Sequence, residues 1–352
     1  MAYELGLAAM NLEMTSKIPH FETDAIVNWD LIKRTTGIEV NSKTPNDIRK
    51  QAQDQFLKAW DYDLNLGALI GADILDKKRT SMGTGAFQAD NIGFDDNIYC
   101  PFKSVEEVLA FDPWETYGKI DKALWTEKFN KQYASLCKNN STMVNTSGIY
   151  STLITGLTFV FGWEMMLLAC GMDPMGFGEV TNRYTSWMLQ YYEALADSNV
   201  PYIYSHDDIV WTRGAVFRPE WYRKYVFPNL KKLYDPLIEA DKKIIFISDG
   251  NYNEFVEDVI DLGVHGLFFE SYLDLKHLTE AYGKSHILIG NADTRILLMG
   301  NKDDIDSEVK RCMDLGRDCP GYFMCVSNGI PYNTPIDNAM YYYESYKKHS
   351  KR

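Results

Sequence analysis

The chain of 352 residues is short of the features by which several protein classes are read. Basic side chains are in deficit: 36 Lys and Arg stand against 49 Asp and Glu, a net charge of −13. Nucleic acid and anionic membranes select clustered cations, so the charge argues against both as partners. The N-terminus MAYELGLAAMNLEMTSK has no basic segment leading into an apolar one, the pattern of a secretory signal. The longest apolar stretch, Leu157–Met172, is interrupted by Gly162 and Glu164 and reads as too short to cross a bilayer. Only six cysteines occur, none in a CxxC pair, which points to free thiols in a reducing cytoplasm. No GxGxxG, GxSxG, GxxxxGK[ST] or HExxH pattern is present, so a dinucleotide fold, a serine hydrolase, a phosphate loop and a helical zinc protease are not supported. No Pro/Ser linker, charge block or repeat divides the chain, so a single domain over 1–352 is expected.

What is present is an alternation. PYIYS at 201–205, KIIFIS at 243–248, Gly266–Phe269, His286–Ile289 and Gly321–Val326 read as strands apolar on both faces. Helical spacing follows at Arg218–Ala240, Asn253–Leu262, Leu273–Tyr282, Ile305–Leu315 and Pro335–Lys348. Strands buried on both faces and separated by amphipathic helices are parallel. The count favours an α/β fold of the (β/α)8 TIM barrel type over an open sheet. Upstream, Ile18–Glu22 and Thr142–Thr146 read as further strands, and the Gly- and Asp-rich 82–99 stretch as an inserted hairpin or lid.

Barrel chemistry is done at the C-terminal ends of strands. There the sequence places His20 and Glu22, then His206, Asp207 and Asp208, then Asp249, Glu270, Asn291 with Asp293, and Asn328. Such a ring suits acid–base work or a metal. Asp293, just before Thr294 and Arg295, is equally explained as a helix cap. His265, His277, His286 and His349 fall at strand starts or on helices and read as structural.

The order IPHFE, HDDIVWTRGAVFRPEWYRKYVFPNLKKLYDPL, IIFISDGN, LFFE, ILIGNAD and YFMCVSNGIPYNTPIDNAMYYYE resembles the uroporphyrinogen decarboxylase superfamily. The resemblance implies a barrel and either a tetrapyrrole decarboxylase or a corrinoid-dependent methyltransferase. The decarboxylase carries an Arg-Gln-Ala-Gly-Arg element for substrate carboxylates, and Pro19-His20-Phe21-Glu22-Thr23 stands in its place. Ala72-Asp73-Ile74-Leu75 resembles the decarboxylase Ser-Asp-Ile-Leu. Thiol-directed methyltransferases carry His-x-Cys-Gly where this chain has Ile247-Ser248-Asp249-Gly250, and a further Cys where Asn328 stands. Related zinc methyltransferases add a Glu, matched by Glu270.

An oxygen-rich site of this kind suits an ether more than a thiol. The resemblance therefore implies an O-demethylase-type enzyme, which moves methyl from a methoxylated aromatic to the Co(I) of a separate corrinoid protein. Zinc held by His206, Asp249 and Glu270 is the expected cofactor. His206, Asp208 and Glu22 are the expected acid–base groups. His20, Trp163, Trp211, Tyr272, Asn328 and Tyr332 are the expected substrate contacts. The 82–99 insertion, with its tip at 89–97, is the expected docking surface for the corrinoid protein. The rivals are a tetrapyrrole decarboxylase and a non-catalytic barrel that only binds a corrinoid or a partner. The oligomeric state stays open between monomer and homodimer.

Overall fold

Six-residue runs such as Lys243-Ile-Ile-Phe-Ile-Ser248 carry β-branched side chains on both faces, which only a strand buried on both sides accommodates. In the computed structural model, which describes residues 2–82 and 99–352, that run is a strand with five of its six residues buried. The chain forms two compact units. The expected lid falls almost wholly outside the described residues.

The unit made of residues 67–134 and 146–264 contains three parallel strands, Ser147–Ile149, Tyr202–His206 and Lys243–Ser248. Tyr204 registers with Gly148 on one side and Ile245 on the other, and His206 registers with Ile247. Helices Ile154–Met172, Pro174–Ala196 and Phe227–Glu239 pack together in the same unit. The first takes in the apolar stretch Leu157–Met172 and begins three residues before it, where its start is capped from a distance. The Asp207 carboxylate accepts the Leu153 and Thr155 amides at 3.2 and 2.7 Å. Among the described residues it is the helix long and apolar enough to cross a membrane, yet 61% of its apolar window is buried in the protein. Gly162 kinks it, at φ 73° and ψ 160°.

The expected helix 218–240 is also not uniform. A turn at Pro219–Trp221 runs into a π-helical stretch, Tyr222–Val226, before the α-helix Phe227–Glu239. Pro228 has no amide hydrogen to give to the preceding turn, so the regular bond pattern is broken there.

The other unit, residues 1–66, 135–145 and 265–352, contains the parallel strands Gly266–Phe269, Ile287–Ile289 and Tyr322–Phe323. Leu288 registers with both Leu267 and Tyr322. Helices Trp29–Thr36, Lys302–Gly316 and Ile336–His349 pack in this unit. The strand expected at 18–22 shortens to a single parallel bridge, His20 with Met324. Two carboxylates stand where the ladder would continue: Asp63 Oδ2 takes the His20 amide at 3.0 Å, and Glu22 Oε2 takes the Val326 amide at 2.9 Å. Likewise Thr142–Thr146 contributes only Val144–Asn145, paired with Leu64–Asn65.

Candidate functional site

Two histidine–carboxylate pairs dominate the strand-end residues, one in each unit. The first is His206 and Asp208, at and just beyond the end of Tyr202–His206. His206 Nε2 lies 3.2 Å from Asp208 Oδ1, and Nδ1 lies 3.3 Å from the Tyr150 carbonyl. A carbonyl only accepts, so Nδ1 carries a hydrogen, and the second proton belongs to Nε2. Burial alone would push the His206 imidazolium down. The Asp208 hydrogen bond and the charges of Asp208, Asp249 and Asp207 outweigh it, and its pKa ends above the usual 6.5. Burial acts to raise the Asp208 carboxyl, but His206 outweighs it, with help from the Asp249 amide, and the pKa ends below 3.8. The pair is an imidazolium–carboxylate ion pair.

Asp208 also ties two segments together. Its Oδ1 accepts the Asp249 amide at 2.9 Å, and its own amide donates to Thr155 Oγ1 at 2.8 Å. Its side chain is 31% exposed, against 5% for His206. The Tyr150 ring stacks on the imidazole at 3.9 Å and is itself 38% exposed. Beside Asp249, Gly250 at φ 85° runs so close to Trp211 that a Cβ would sit 2.8 Å from its backbone, so glycine is required there. Trp211 is 46% exposed and meets Trp163 edge-on at 5.2 Å. His206, Asp208, Tyr150, Asp249, Trp163 and Trp211 therefore belong to one strand-end group within a single unit.

Asp207, between the pair, is fully buried as the cap already described, and its Oδ2 has no hydrogen-bond partner. Burial raises its carboxyl, the Thr155, Ile154 and Leu153 amides and His206 pull it back, and the pKa ends at about 6.

The second pair is His20 and Glu22, both with side chains 0% exposed. His20 Nδ1 lies 3.1 Å from the Trp60 carbonyl and Nε2 lies 3.0 Å from Glu22 Oε1. The Tyr342 hydroxyl donates to the same Oε1 at 2.5 Å. Tyr346 stacks on the imidazole at 4.4 Å and Tyr62 meets it edge-on. With both ring nitrogens and every face taken, His20 positions Glu22 and does not reach a substrate, which corrects the expectation that it is a substrate contact. Burial and then Glu22 hold the Tyr342 hydroxyl well above the usual phenol range.

The remaining expected residues distribute as follows. Glu270 and Asn328 lie in the same unit as Glu22. Glu270 is buried, and its carbonyl accepts Asn291 Nδ2 at 3.3 Å. Asn328 is exposed in a left-handed turn, φ 52°, and Gly329 after it packs on the Thr23 backbone. Tyr272 is half-buried under the Arg295 guanidinium, and Tyr332 is 41% exposed. Asn291 and Asp293 are structural: Asn291 is bound by Arg311, and Asp293 caps Thr294–Met299 by accepting the Arg295 amide. Asp73 is exposed and accepts the Gly71 amide at 3.1 Å, a local turn contact.

The residues do not fit the expected zinc. Both ring nitrogens of His206 are engaged, and among the described residues no three His, Cys, Asp or Glu side chains stand together as a metal set. The six cysteines are free, and none replaces the missing thiolates.

The family model described as Uroporphyrinogen decarboxylase (URO-D) matches residues 147–349. A protein named uroporphyrinogen decarboxylase from Geobacter sulfurreducens is 28% identical over 40% of this chain and 41% of its own length. Methylcobamide:CoM methyltransferase MtbA of Methanosarcina acetivorans is 31% identical over 28% of this chain and 29% of its own. The chain thus matches less than half the length of either relative. A solved structure described as a methyltransferase from Methanosarcina mazei superimposes with a TM-score of 0.66 at 15% identity, over 99% of this chain and 98% of that one. That likeness shows a shared α/β fold.

Proposed function

The chain belongs to the uroporphyrinogen decarboxylase family, and from that premise we propose that it takes a methyl group from a methoxylated aromatic and passes it to the Co(I) of a separate corrinoid protein. The observation that carries this reading is the His206–Asp208 ion pair, half-open beside exposed aromatic rings. The relative named for methylcobamide supports methyl transfer linked to a cobamide.

The chemical difficulty is the leaving group, a phenolate whose conjugate acid has a pKa of about 10. The corrinoid supplies the nucleophile. As the methyl–oxygen bond breaks, its electron pair stays on oxygen, and that oxygen takes the proton held by the pair. The proton is held on His206 Nε2, and Asp208, partly exposed, relays it: the carboxylate takes that proton as it passes one to the ether oxygen, and so ends as a carboxylate again. Neutral imidazole and carboxylate remain, and a proton from water restores the imidazolium. General acid catalysis of this type is worth roughly 10²–10⁴ in rate. Tyr150, Trp163 and Trp211 supply aromatic surface for the donor ring.

Decarboxylation of a polycarboxylate is disfavoured by the Pro19–Thr23 segment. It holds a buried carboxylate where arginines would be needed, and Glu22 is fixed by three donors. The test is methylation of Co(I) cobalamin by purified protein with a panel of phenyl methyl ethers, methanol and a methylthiol. Rates should rise as the leaving phenol becomes more acidic, and methanol should be inert. Faster turnover of methanol or the methylthiol overturns the reading. Release of CO2 from uroporphyrinogen would establish the decarboxylase instead.

A further inference from the structure

A cavity of about 730 Å³ opens between two segments of one unit. One is the turn joining helices Ile154–Met172 and Pro174–Ala196, which contributes Leu167, Cys170 and Pro174. The other leads from the turn Pro219–Trp221 into the π-helical stretch, and with Phe217 before it contributes Trp221 and Tyr225. The Trp221 indole N–H donates to the Pro174 carbonyl at 2.9 Å, so the segments are tied and the polar atom of that ring is spent. Phe217 meets Trp221 at 4.8 Å and Tyr225 meets it at 5.6 Å, which makes an aromatic wall. Burial pushes the Cys170 thiol up to about 12, so it stays neutral and adds no charge to the lining.

Two cations border this wall. Lys224 is exposed, and its Nζ lies 4.9 Å from the centroid of the Tyr225 ring. Arg218 is exposed as well, and stands before the turn Pro219–Trp221 without capping it through its side chain. Among the described residues of the lining the one acid is Glu220, and it lies in the field of Arg223, three residues on. In a chain of net charge −13, two cations beside an aromatic wall are a local reversal. A cationic ligand would meet like charge there, and a dianion would meet Glu220. A single carboxylate on an apolar body answers both the cations and the wall. Lys224 and Tyr225 also belong to the π-helical stretch, a conformation that occurs mostly as short insertions and often at functional sites.

We propose that this cavity binds a small amphipathic monocarboxylate, its apolar body against Phe217, Trp221 and Tyr225 and its carboxylate meeting Lys224 and Arg218 at the rim. The volume lies in the range of sites for drug-sized molecules, so an aryl-alkyl acid and a medium-chain fatty acid both fit. Exposed ion pairs contribute little, so burial of the apolar body supplies most of the affinity and the two cations supply the selectivity. The site stands on its own geometry and does not depend on the methyl-transfer reading.

The experiment is calorimetric titration of the full chain with 4-phenylbutyrate, its amide, 4-phenylbutylammonium and octanoate. 4-Phenylbutyrate is expected to bind with a Kd of about 1 mM or lower. The amide should bind roughly five- to tenfold more weakly and the ammonium at least about tenfold more weakly. Octanoate binding as tightly as 4-phenylbutyrate identifies a fatty-acid site, and weaker octanoate binding identifies an aryl-acid site. Arg218→Gln combined with Lys224→Gln, both at exposed positions, should abolish the preference for acid over amide and leave the melting temperature unchanged. Gly171→Trp should abolish binding by filling the cavity, since Gly171 is an exposed lining residue where a Cβ meets nothing within 4 Å. The proposal is overturned if neither acid binds, or if the amide or the ammonium binds as tightly as 4-phenylbutyrate. Acid preference surviving in the double variant, or binding surviving in Gly171→Trp, overturns it as well. A parent that is dimeric by light scattering and becomes monomeric as Gly171→Trp would make the cavity an interface between copies, and would overturn it too.

Discussion

His20–Glu22 and His206–Asp208 share one spacing, a histidine and an acid two residues apart, and one geometry, Nε2 to carboxylate at 3.0 and 3.2 Å. In both, Nδ1 faces a backbone carbonyl. They differ in what surrounds the carboxylate. Glu22 is sealed, with the Tyr342 hydroxyl and the Val326 amide completing its shell. Asp208 is 31% exposed, and the ring on its histidine, Tyr150, is open to solvent as well. A sealed pair can hold the backbone but cannot exchange a proton with a substrate. A half-open pair can do so, at less cost to the fold if it is lost.

The largest expected difference is therefore in activity. Asp208→Asn and His206→Gln should each lower the rate of methyl transfer by roughly 10²–10⁴ and leave the protein folded, as circular dichroism would show. Glu22→Gln should do the reverse in kind, unfolding the protein more easily by about 1–3 kcal/mol in a urea titration, because it disturbs a buried carboxylate that His20, Tyr342 and the Val326 amide all bind. If Glu22→Gln is stable and inactive while Asp208→Asn is unstable, the roles assigned to the two pairs are exchanged.

The pH profile sharpens the same contrast. His206 has a raised pKa, so the active imidazolium is present below its ordinary 6.5 and is lost as pH rises through the higher folded value. Asp208 has a lowered pKa, so the pair's contribution to stability is present above 3.8 and is lost as pH falls through the lower folded value. A plot of kcat/KM against pH should fall on the alkaline side in the parent and lose that limb in His206→Gln. Asp207 runs opposite to Asp208: its folded value of about 6 lies above 3.8, so it costs stability as pH rises from about 4 to 6. Asp207→Asn should flatten that part of the stability profile measured by thermal unfolding at successive pH values.

The two regions were not equally legible in the sequence. The strand Gly266–Phe269 and the core of Lys243–Ser248 stand at the expected places because unbroken apolar runs admit few alternatives. His206, Asp208 and Asp249 could be found because they follow such runs directly. The IPHFE segment misled, since its apolar–polar alternation reads as a strand. Asp63, far along the chain, and the Glu22 side chain itself take backbone donors that a ladder would use. Tyr342 and Tyr62, which complete that region, carried no local signal and look like any other core tyrosines. The helix 302–316 began earlier than its apolar spacing indicates, because Asn301 and Asp304 form a capping box whose acid is Asp instead of the usual Glu. The triad expected for zinc failed for a related reason. Sequence names donors but not whether they are already spent, and His206 spends both nitrogens inside the protein.

The smallest expected effect concerns the rings. Tyr346 stacks on His20 at 4.4 Å and is 1% exposed, so it belongs to the sealed core. Trp211, with Trp163 edge-on at 5.2 Å, is 46% exposed and serves as a wall that a donor ring can meet. An edge-to-face pair is worth about 0.5–1.5 kcal/mol beyond area burial. Trp163→Leu leaves Trp211 in place but frees its orientation, so the methyl donor should bind about two- to tenfold more weakly through a raised KM. The value of kcat should hold, because the proton on the His206–Asp208 pair is untouched. Tyr346→Leu, by contrast, should lower the melting temperature and leave KM where it was. Steady-state kinetics and thermal unfolding on the two variants decide the matter. A fall in kcat with unchanged KM in Trp163→Leu would place the tryptophan pair in the proton-transfer step and remove it from donor binding.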